Sequence, residues 1–144
     1  MTPAYNNPAE IDAREVVMYR DEGVCVKCRR VDPLFGVNFD HRKNRSQGGV
    51  WEPANGQLLC GSGATGCHGW KTTHPEDARR EGYAVPGYAD PAEYPARRWS
   101  WVGYVLQPVW VLYDNAGGWQ QISDEEAEAR IEGRWAHANP LDEA

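Results

Sequence analysis

Two cysteine pairs constrain this chain more than any other feature of its sequence. Two residues separate Cys25 from Cys28, six separate Cys60 from Cys67, and 31 lie between the pairs. Such pairs can gather four thiolates tetrahedrally around one zinc ion. The six residues between Cys60 and Cys67 are all small, so this longer loop can turn without straining its ligands. We therefore predict a structural zinc site.

Two other interpretations of the cysteines stay open at this point. A redox pair of the thioredoxin type would need a flanking strand and helix, a pattern that is missing around Cys25 and Cys28. Four unligated core cysteines are the second alternative. The amino terminus lacks the positive start and apolar run of a signal peptide, so we expect the protein in a reducing cytoplasm, where metal binding is more common than disulfides.

The acidity of the chain is concentrated in its second half. Its 144 residues, 41% of them hydrophobic, fit one compact domain with an appendage. No apolar run approaches the roughly 20 residues that cross a membrane, so no membrane partner is expected. Residues 1–80 carry 11 basic and 10 acidic side chains, whereas residues 81–144 carry 4 and 11. The first part is therefore nearly neutral, and its basic clusters can neutralise phosphates locally or form ordinary solvated surface.

Periodicity and turn residues predict helices and strands along the whole chain. In the first part they favour a helix over 11–20, a strand over 34–40 that ends on Asp40 and His41, and a helix over 74–81 with a capping box from Thr73 to Glu76. An extended connector is expected over 83–100. Beyond it, Asp-Asn-Ala-Gly-Gly indicates a hairpin of strands 108–113 and 119–122, followed by an acidic helix over 124–131 capped by Ser123.

The order of polar residues around the cysteines resembles a known family. Asp40-His41 and Asn55 lie between the two cysteine pairs, and His68 directly follows Cys67. This order resembles the HNH endonucleases, especially the cysteine-stapled HNH proteins of bacteriophages, over about residues 12–82. The resemblance implies a ββα-metal fold in which two strands and a helix surround one divalent cation.

From this we expect an α+β fold with a small ββα-metal HNH core stapled by a four-cysteine zinc site. Residues 1–88 would form the nuclease domain, with an N-terminal helix and the zinc knuckles. Residues 89–144 would form a C-terminal extension, with a β-hairpin and a short acidic helix.

Phosphodiester hydrolysis explains the residue types at the predicted centre. A water molecule must lose a proton, and charge on the phosphate and on the leaving 3′-oxygen must be stabilised. His41, with an ordinary pKa of about 6.5, suits the general base. Asp40 and His68 suit Mg²⁺, Mn²⁺ or another divalent cation. The resemblance implies that Asn55 hydrogen-bonds across the loop and holds the His41 strand in register.

Several further residues are weaker candidates. Many family members carry another helix ligand four residues after the last His, but Thr72 stands there, and His74 would lie about 120° away on a regular helix. His74 is thus a doubtful ligand. Arg42, Lys43, Arg45 and Lys71 flank the centre and could bind DNA phosphates. Four tryptophans are better suited to packing the C-terminal hairpin than to stacking on bases: Trp99, Trp101, Trp110 and Trp119.

The expected function is a metal-dependent endonuclease that nicks or cuts double-stranded DNA and, as the resemblance implies, leaves 5′-phosphate and 3′-hydroxyl ends. If phage-encoded, it would act in the bacterial host cytoplasm, in mobile-element spread or in genome packaging, with terminase proteins as candidate partners. A non-catalytic zinc-stapled module that binds DNA or protein is the alternative. A third reading is a nuclease activated by a partner through its acidic C-terminal part.

Overall fold

The computed structural model describes residues 7–135. In chain order the elements are helix α1 (Pro8–Arg20), strands β1 (Val37–His41) and β2 (Gly56–Cys60), helices α2 (Gly66–Thr73) and α3 (Pro75–Arg80), strands β3 (Ala96–Val102), β4 (Val105–Tyr113) and β5 (Trp119–Ile122), and helix α4 (Asp124–Ile131). Strands β1 and β2 form one antiparallel sheet, and β3, β4 and β5 form another in that order. The predicted α+β class is confirmed.

Strand β2 lies at the centre of the first part of the molecule. Its five residues are all buried, and both α1 and α2 pack against it. Consecutive apolar residues such as Leu58 and Leu59 are typical of a strand covered on both faces. The register pairs Asp40 with Gln57 and His41 with Gly56. The strand end that carries the candidate residues is therefore held by a buried partner strand.

Helix α1 begins three residues earlier than the sequence predicts. The Asn7 side chain accepts a hydrogen bond from the Ala9 amide, and Pro8 occupies the first turn, where its missing N–H costs nothing. Ala13 and Val17 are fully buried on the inner face. The helix thus covers the hairpin and ends at Arg20, beside the buried Asp21.

Two local predictions in the first part are wrong. The first strand starts at Val37, because the Asp32 carboxylate accepts hydrogen bonds from the Leu34 and Phe35 amides and forms a turn there. The capping box at Thr73 does not form. Helix α3 begins at Pro75, and the Thr73 hydroxyl instead donates to the Gly69 carbonyl of α2.

The C-terminal part contains one strand more than the sequence predicts. The hairpin of β4 and β5 is confirmed, with the Asp114 carboxylate accepting from the Ala116 and Gly118 amides in the turn. Helix α4 is capped by Ser123 as predicted. Strand β3, however, occupies part of the expected connector and pairs along its length with β4. Residues 136–144 of the predicted extension lie outside the described part. Between residues 7 and 135, every helix is too short or too polar to cross a lipid bilayer.

The three-stranded sheet is joined to α1 by a buried ion cluster. The Asp21 carboxylate receives the Arg20 guanidinium at 2.8 Å and the Arg98 guanidinium at 2.9 Å. It also accepts from the Leu58 amide of β2. Trp99 donates its ring N–H to the Lys27 carbonyl in the first cysteine knuckle. The two sheets therefore share buried polar contacts.

Candidate functional site

The four cysteines meet in one cluster, as their spacing predicts. Their Sγ atoms all lie within 4.8 Å of one another, and those of Cys28 and Cys60 are 3.6 Å apart. A tetrahedral zinc ion with Zn–S bonds of about 2.3 Å needs sulfur atoms about 3.8 Å apart. The cluster is therefore compatible with a structural zinc site.

Local backbone geometry brings the cysteines together. In the first knuckle the Arg29 amide donates to the Cys25 carbonyl, and the Val26 amide donates to Leu58 of β2. Cys60 ends β2, and Cys67 lies in the first turn of α2. Between them Gly61 has φ +88°, and a Cβ there would lie 2.2 Å from the Thr65 carbonyl oxygen. The long second spacing thus forms a tight loop that glycine alone permits.

The close thiols influence one another's protonation. The hydrogen bond with Cys67 lowers the pKa of Cys25 to about 5, and the same bond raises the pKa of Cys67. Burial raises the pKa of Cys28 to about 11. A divalent cation bound in the cluster would stabilise its cysteine ligands as thiolates. The donor set fits the metal.

A second polar centre lies where β1 ends beside α2. Asp40 Oδ1 is 3.4 Å from His68 Nε2. Its other oxygen, Oδ2, accepts from Lys71 Nζ at 2.7 Å and from Gln57 Nε2 at 2.9 Å. A carboxylate oxygen and an imidazole nitrogen so close together fit two ligands of one divalent cation. His68 and Lys71 reach Asp40 together because residues three apart share one face of a helix.

His41 is the last residue of β1 and packs against aromatic rings. Its ring packs edge-on against Trp51, with centroids 4.3 Å apart, and against Phe39 at 5.2 Å. Burial lowers the pKa of His41; the neighbouring Asp40 carboxylate raises it, and the Arg45 guanidinium lowers it further. The lowered pKa favours the neutral imidazole, the form that accepts a proton.

Asn55 makes the bonds across the loop that the resemblance implies. Its side-chain oxygen accepts from the Lys43 amide at 2.7 Å, and its Nδ2 donates to the Lys43 and Val50 carbonyls at 3.1 Å each. The Arg42 amide donates to the Asn55 carbonyl. Asn55 is completely buried. It fixes the chain directly after His41 through backbone groups.

Two of the four predicted phosphate contacts need correction. Arg42 is 1% exposed, and its guanidinium donates to the Ala54, Pro91 and Tyr94 carbonyls. It ties the loop after β1 to the segment before β3, so it is not available to DNA. Lys71 is 8% exposed and bonds Asp40 and the His41 carbonyl. Arg45 is exposed and Lys43 half-buried, so both stay candidates for phosphate contacts.

His74 does not join the candidate cation ligands. Its exposed ring stacks on Trp70, with centroids 5.9 Å apart, and its Nδ1 lies 3.1 Å from the Trp70 carbonyl oxygen. Within residues 7–135 the cysteine cluster is the only group of three or more metal-donor side chains. Asp40 and His68 therefore have no third such ligand there. Thr72 is exposed, with its hydroxyl bonded to the His68 carbonyl.

Three residues beside the centre escaped the sequence interpretation. Gln57 is buried and bonds Asp40 directly, a contact that the hairpin register would have indicated. Trp51 lies against His41, and the Arg14 guanidinium of α1 lies 4.8 Å from the Trp51 ring centroid. No local pattern pointed to these contacts, since Trp51 stands alone in a polar loop and Arg14 lies 27 positions before His41.

The comparisons with known proteins leave the family open. No protein-family model, curated protein or solved structure matches the chain.

Proposed function

We propose that this chain is a metal-dependent, HNH-type endonuclease that hydrolyses phosphodiester bonds of double-stranded DNA. The proposal rests on three residues that meet where strand β1 ends beside helix α2. A half-buried imidazole with a lowered pKa, His41, directly follows a carboxylate, Asp40, that lies 3.4 Å from a second imidazole, His68. A phosphodiester hydrolase needs such a base beside a divalent-cation site.

His41 is the general base in this proposal. Its Nε2 is buried and has no hydrogen-bond partner among residues 7–135, so Nδ1 is the nitrogen that we expect to take the proton of water. Packing against Trp51 and Phe39 fixes the ring plane. Asn55 fixes the backbone that follows. Together these contacts preorganise the base, which lowers the cost of aligning it with water and phosphorus.

Asp40 and His68 would hold the divalent cation. When bound, this cation would offset the charge that develops on the phosphate oxygens and on the leaving 3′-oxygen. Asp40 is kept in place by Gln57 and Lys71. The exposed Arg45 and its neighbour Lys43 would bind phosphates beside the scissile bond, through charge and without reading sequence.

Plasmid cleavage tests the proposal. We expect Mg²⁺ or Mn²⁺ to support nicking or cutting by the wild-type protein, and we expect His41→Ala to reduce the rate by about 100-fold or more, the usual share of general base catalysis. His74→Ala is the matched control, because it removes an exposed imidazole outside the centre. Cutting that survives His41→Ala would exclude the assigned base.

A non-catalytic module that binds DNA is the second candidate. One observation favours it: Lys71 already neutralises Asp40, and Asp40 and His68 have no third donor side chain within the described residues. Gel-shift titration of a DNA duplex, combined with the plasmid assay, separates the two functions. Binding without cutting in Mg²⁺, Mn²⁺, Co²⁺ or Ni²⁺ would favour the module.

A further inference from the structure

Lys71 places a buried positive charge directly on the candidate cation ligand. Its Nζ lies 2.7 Å from Asp40 Oδ2 and 2.7 Å from the His41 carbonyl oxygen. The side chains of Lys71 and Asp40 are each 9% exposed. A pair so far removed from water interacts more strongly than a surface ion pair. Lys71 therefore contributes to the electrostatics of the centre as well as to its packing.

Protein sites that bind a divalent cation without a substrate usually carry a net negative charge, and this centre carries little. Asp40 brings one negative charge, Lys71 brings one positive charge, and the second ligand, His68, is an imidazole. Three or more donor side chains occur together only in the cysteine cluster, as far as residues 7–135 are concerned. An incoming divalent cation thus meets a nearby ammonium group and little net negative charge.

A phosphodiester supplies the additional oxygen ligands and negative charge that Asp40 and His68 do not provide. Its non-bridging oxygens are hard, negatively charged ligands of the kind that Mg²⁺ and Mn²⁺ prefer. Their charge also offsets the repulsion between Lys71 and the cation.

We propose that Lys71 is a positioning residue that keeps Asp40 in a charge-neutral pair, so that a divalent cation binds this centre tightly only together with a phosphodiester. This inference rests on the proposed function, and it adds that cation and DNA bind cooperatively. By linkage, the factor by which DNA tightens cation binding equals the factor by which the cation tightens DNA binding.

Mn²⁺ titration followed by electron paramagnetic resonance tests the proposal on the DNA-free protein. We expect Lys71→Met to bind Mn²⁺ at least about tenfold more tightly than the wild type, because a repelling charge is removed. Asp40→Asn in the Lys71→Met background should abolish the gain, and Lys71→Arg should keep the wild-type affinity. Arg80→Met removes an equal charge at an exposed position of α3 and should change nothing. A misfolded variant would lose affinity rather than gain it.

A second titration measures the coupling to DNA. A short duplex is added to wild type and to Lys71→Met, each carrying His41→Ala so that the DNA stays intact. The duplex should tighten Mn²⁺ binding more in the protein that has Lys71. Equal tightening in both proteins would overturn the proposal, as would DNA-free affinities that are equal or too weak to detect in both, or a gain in Lys71→Arg as large as that in Lys71→Met.

The plasmid assay keeps this inference separate from the proposed function. Cleavage by the wild type together with unchanged Mn²⁺ affinity in Lys71→Met would leave the nuclease and overturn the role of Lys71. Tighter Mn²⁺ binding without any cleavage would support the charge pairing by Lys71 and contradict the nuclease.

Discussion

At the scale of single residues, His41 shows how neighbouring charges tune a candidate base. Burial lowers its pKa, Asp40 raises it, and the cations Arg45, Lys71 and Arg14 lower it. The result is a pKa below the ordinary value of about 6.5. Because the base must be unprotonated, cleavage should persist below pH 6.5 and should be lost as the pH falls through the lowered pKa.

Removing Arg45 should raise the pH below which cleavage is lost. Arg45→Gln takes away one charge that disfavours the imidazolium, so the pKa of His41 rises and activity is lost at a higher pH than in the wild type. The measurement is the pH dependence of kcat/KM for cleavage of a short duplex. Arg80→Gln, which removes an exposed charge on α3, should leave the midpoint unchanged. A downward shift in Arg45→Gln would contradict the electrostatic account.

Arg42 illustrates a buried cation with a structural role. Burial lowers its pKa to about 10, so it stays charged at neutral pH, and its guanidinium donates to the carbonyls of four residues. Arg42→Met should lower the free energy of unfolding by about 3 kcal/mol, because buried carbonyl groups lose their donors. Urea denaturation measures this. The exposed control, Arg45→Met, should stay within about 0.5 kcal/mol of the wild type.

At the scale of elements, the close packing of β1 on β2 sets the position of the candidate base. Gly56 lies opposite His41 in the register. A Cβ at Gly56 would lie 2.4 Å from the Phe39 ring and 2.8 Å from a Val17 methyl group. Phe39 in turn contacts His41. Any side chain at Gly56 must therefore displace the ring that supports the base.

Gly56→Ala should lower stability and cleavage together. We expect a loss of about 1–3 kcal/mol in the free energy of unfolding, the usual cost of overpacking a core. Cleavage by the fraction that remains folded should also be slower, since His41 loses its fixed ring plane. Urea denaturation and the plasmid assay report the two effects. Gly63→Ala is the control, because a Cβ there meets no atom within 4 Å. Unchanged stability in Gly56→Ala would show that the hairpin adapts without cost.

At the scale of the whole molecule, the cysteine cluster links three separate stretches of chain. Cys25 and Cys28 follow α1, Cys60 ends β2, and Cys67 begins α2. Buried apolar residues pack around it, among them Val26, Leu59, Ala78 and Tyr83. A metal bound here would stabilise the same unit that carries Asp40, His41 and His68.

Loss of this metal should unfold the domain. Structural zinc contributes on the order of 10 kcal/mol of apparent binding free energy, more than most small domains have to spare. A chelator strong enough to remove zinc, or Cys67→Ser, should abolish the cooperative thermal transition. Metal analysis of the purified wild type should find about one zinc ion per chain. A metal-free protein with an unchanged transition would contradict this role of the cluster.

The C-terminal sheet should be equally necessary for folding. The Pro91 and Tyr94 carbonyls accept hydrogen bonds from Arg42, and Arg98 pairs with the buried Asp21. A chain ending at residue 88 leaves Arg42 and Asp21 without these partners. We expect it to be insoluble or to lack a cooperative unfolding transition by circular dichroism. If that shortened chain folds and unfolds cooperatively, the predicted boundary at 88 separates independent domains. A test of partner activation should therefore change acidic side chains on α4 rather than delete the sheet.

The sequence predicts the features that depend on residues close together in the chain. It does not predict those that depend on contacts between distant segments. The cysteine cluster, the Asp40-His41 strand end and the Asp114 turn follow from short-range spacing and turn chemistry, and all three are found in the structure. Strand β3 was missed because the prolines and glycines before it indicated a connector. Its strand state depends on pairing with β4, which local propensity does not report.

The sequence by itself therefore determined which residues are the candidates for metal binding and catalysis: four thiols with metal-site spacing, and a carboxylate and imidazoles in a fixed order. Only the tertiary structure decided which charges meet. Lys71 and Arg42 look alike as basic residues near the centre, yet one pairs with Asp40 across 31 positions and the other binds carbonyls up to 53 positions away. Such partners depend on how α2 and the C-terminal sheet pack against β1 and β2. Burial away from water strengthens the interactions of these charged groups, and this burial occurs only in the folded chain.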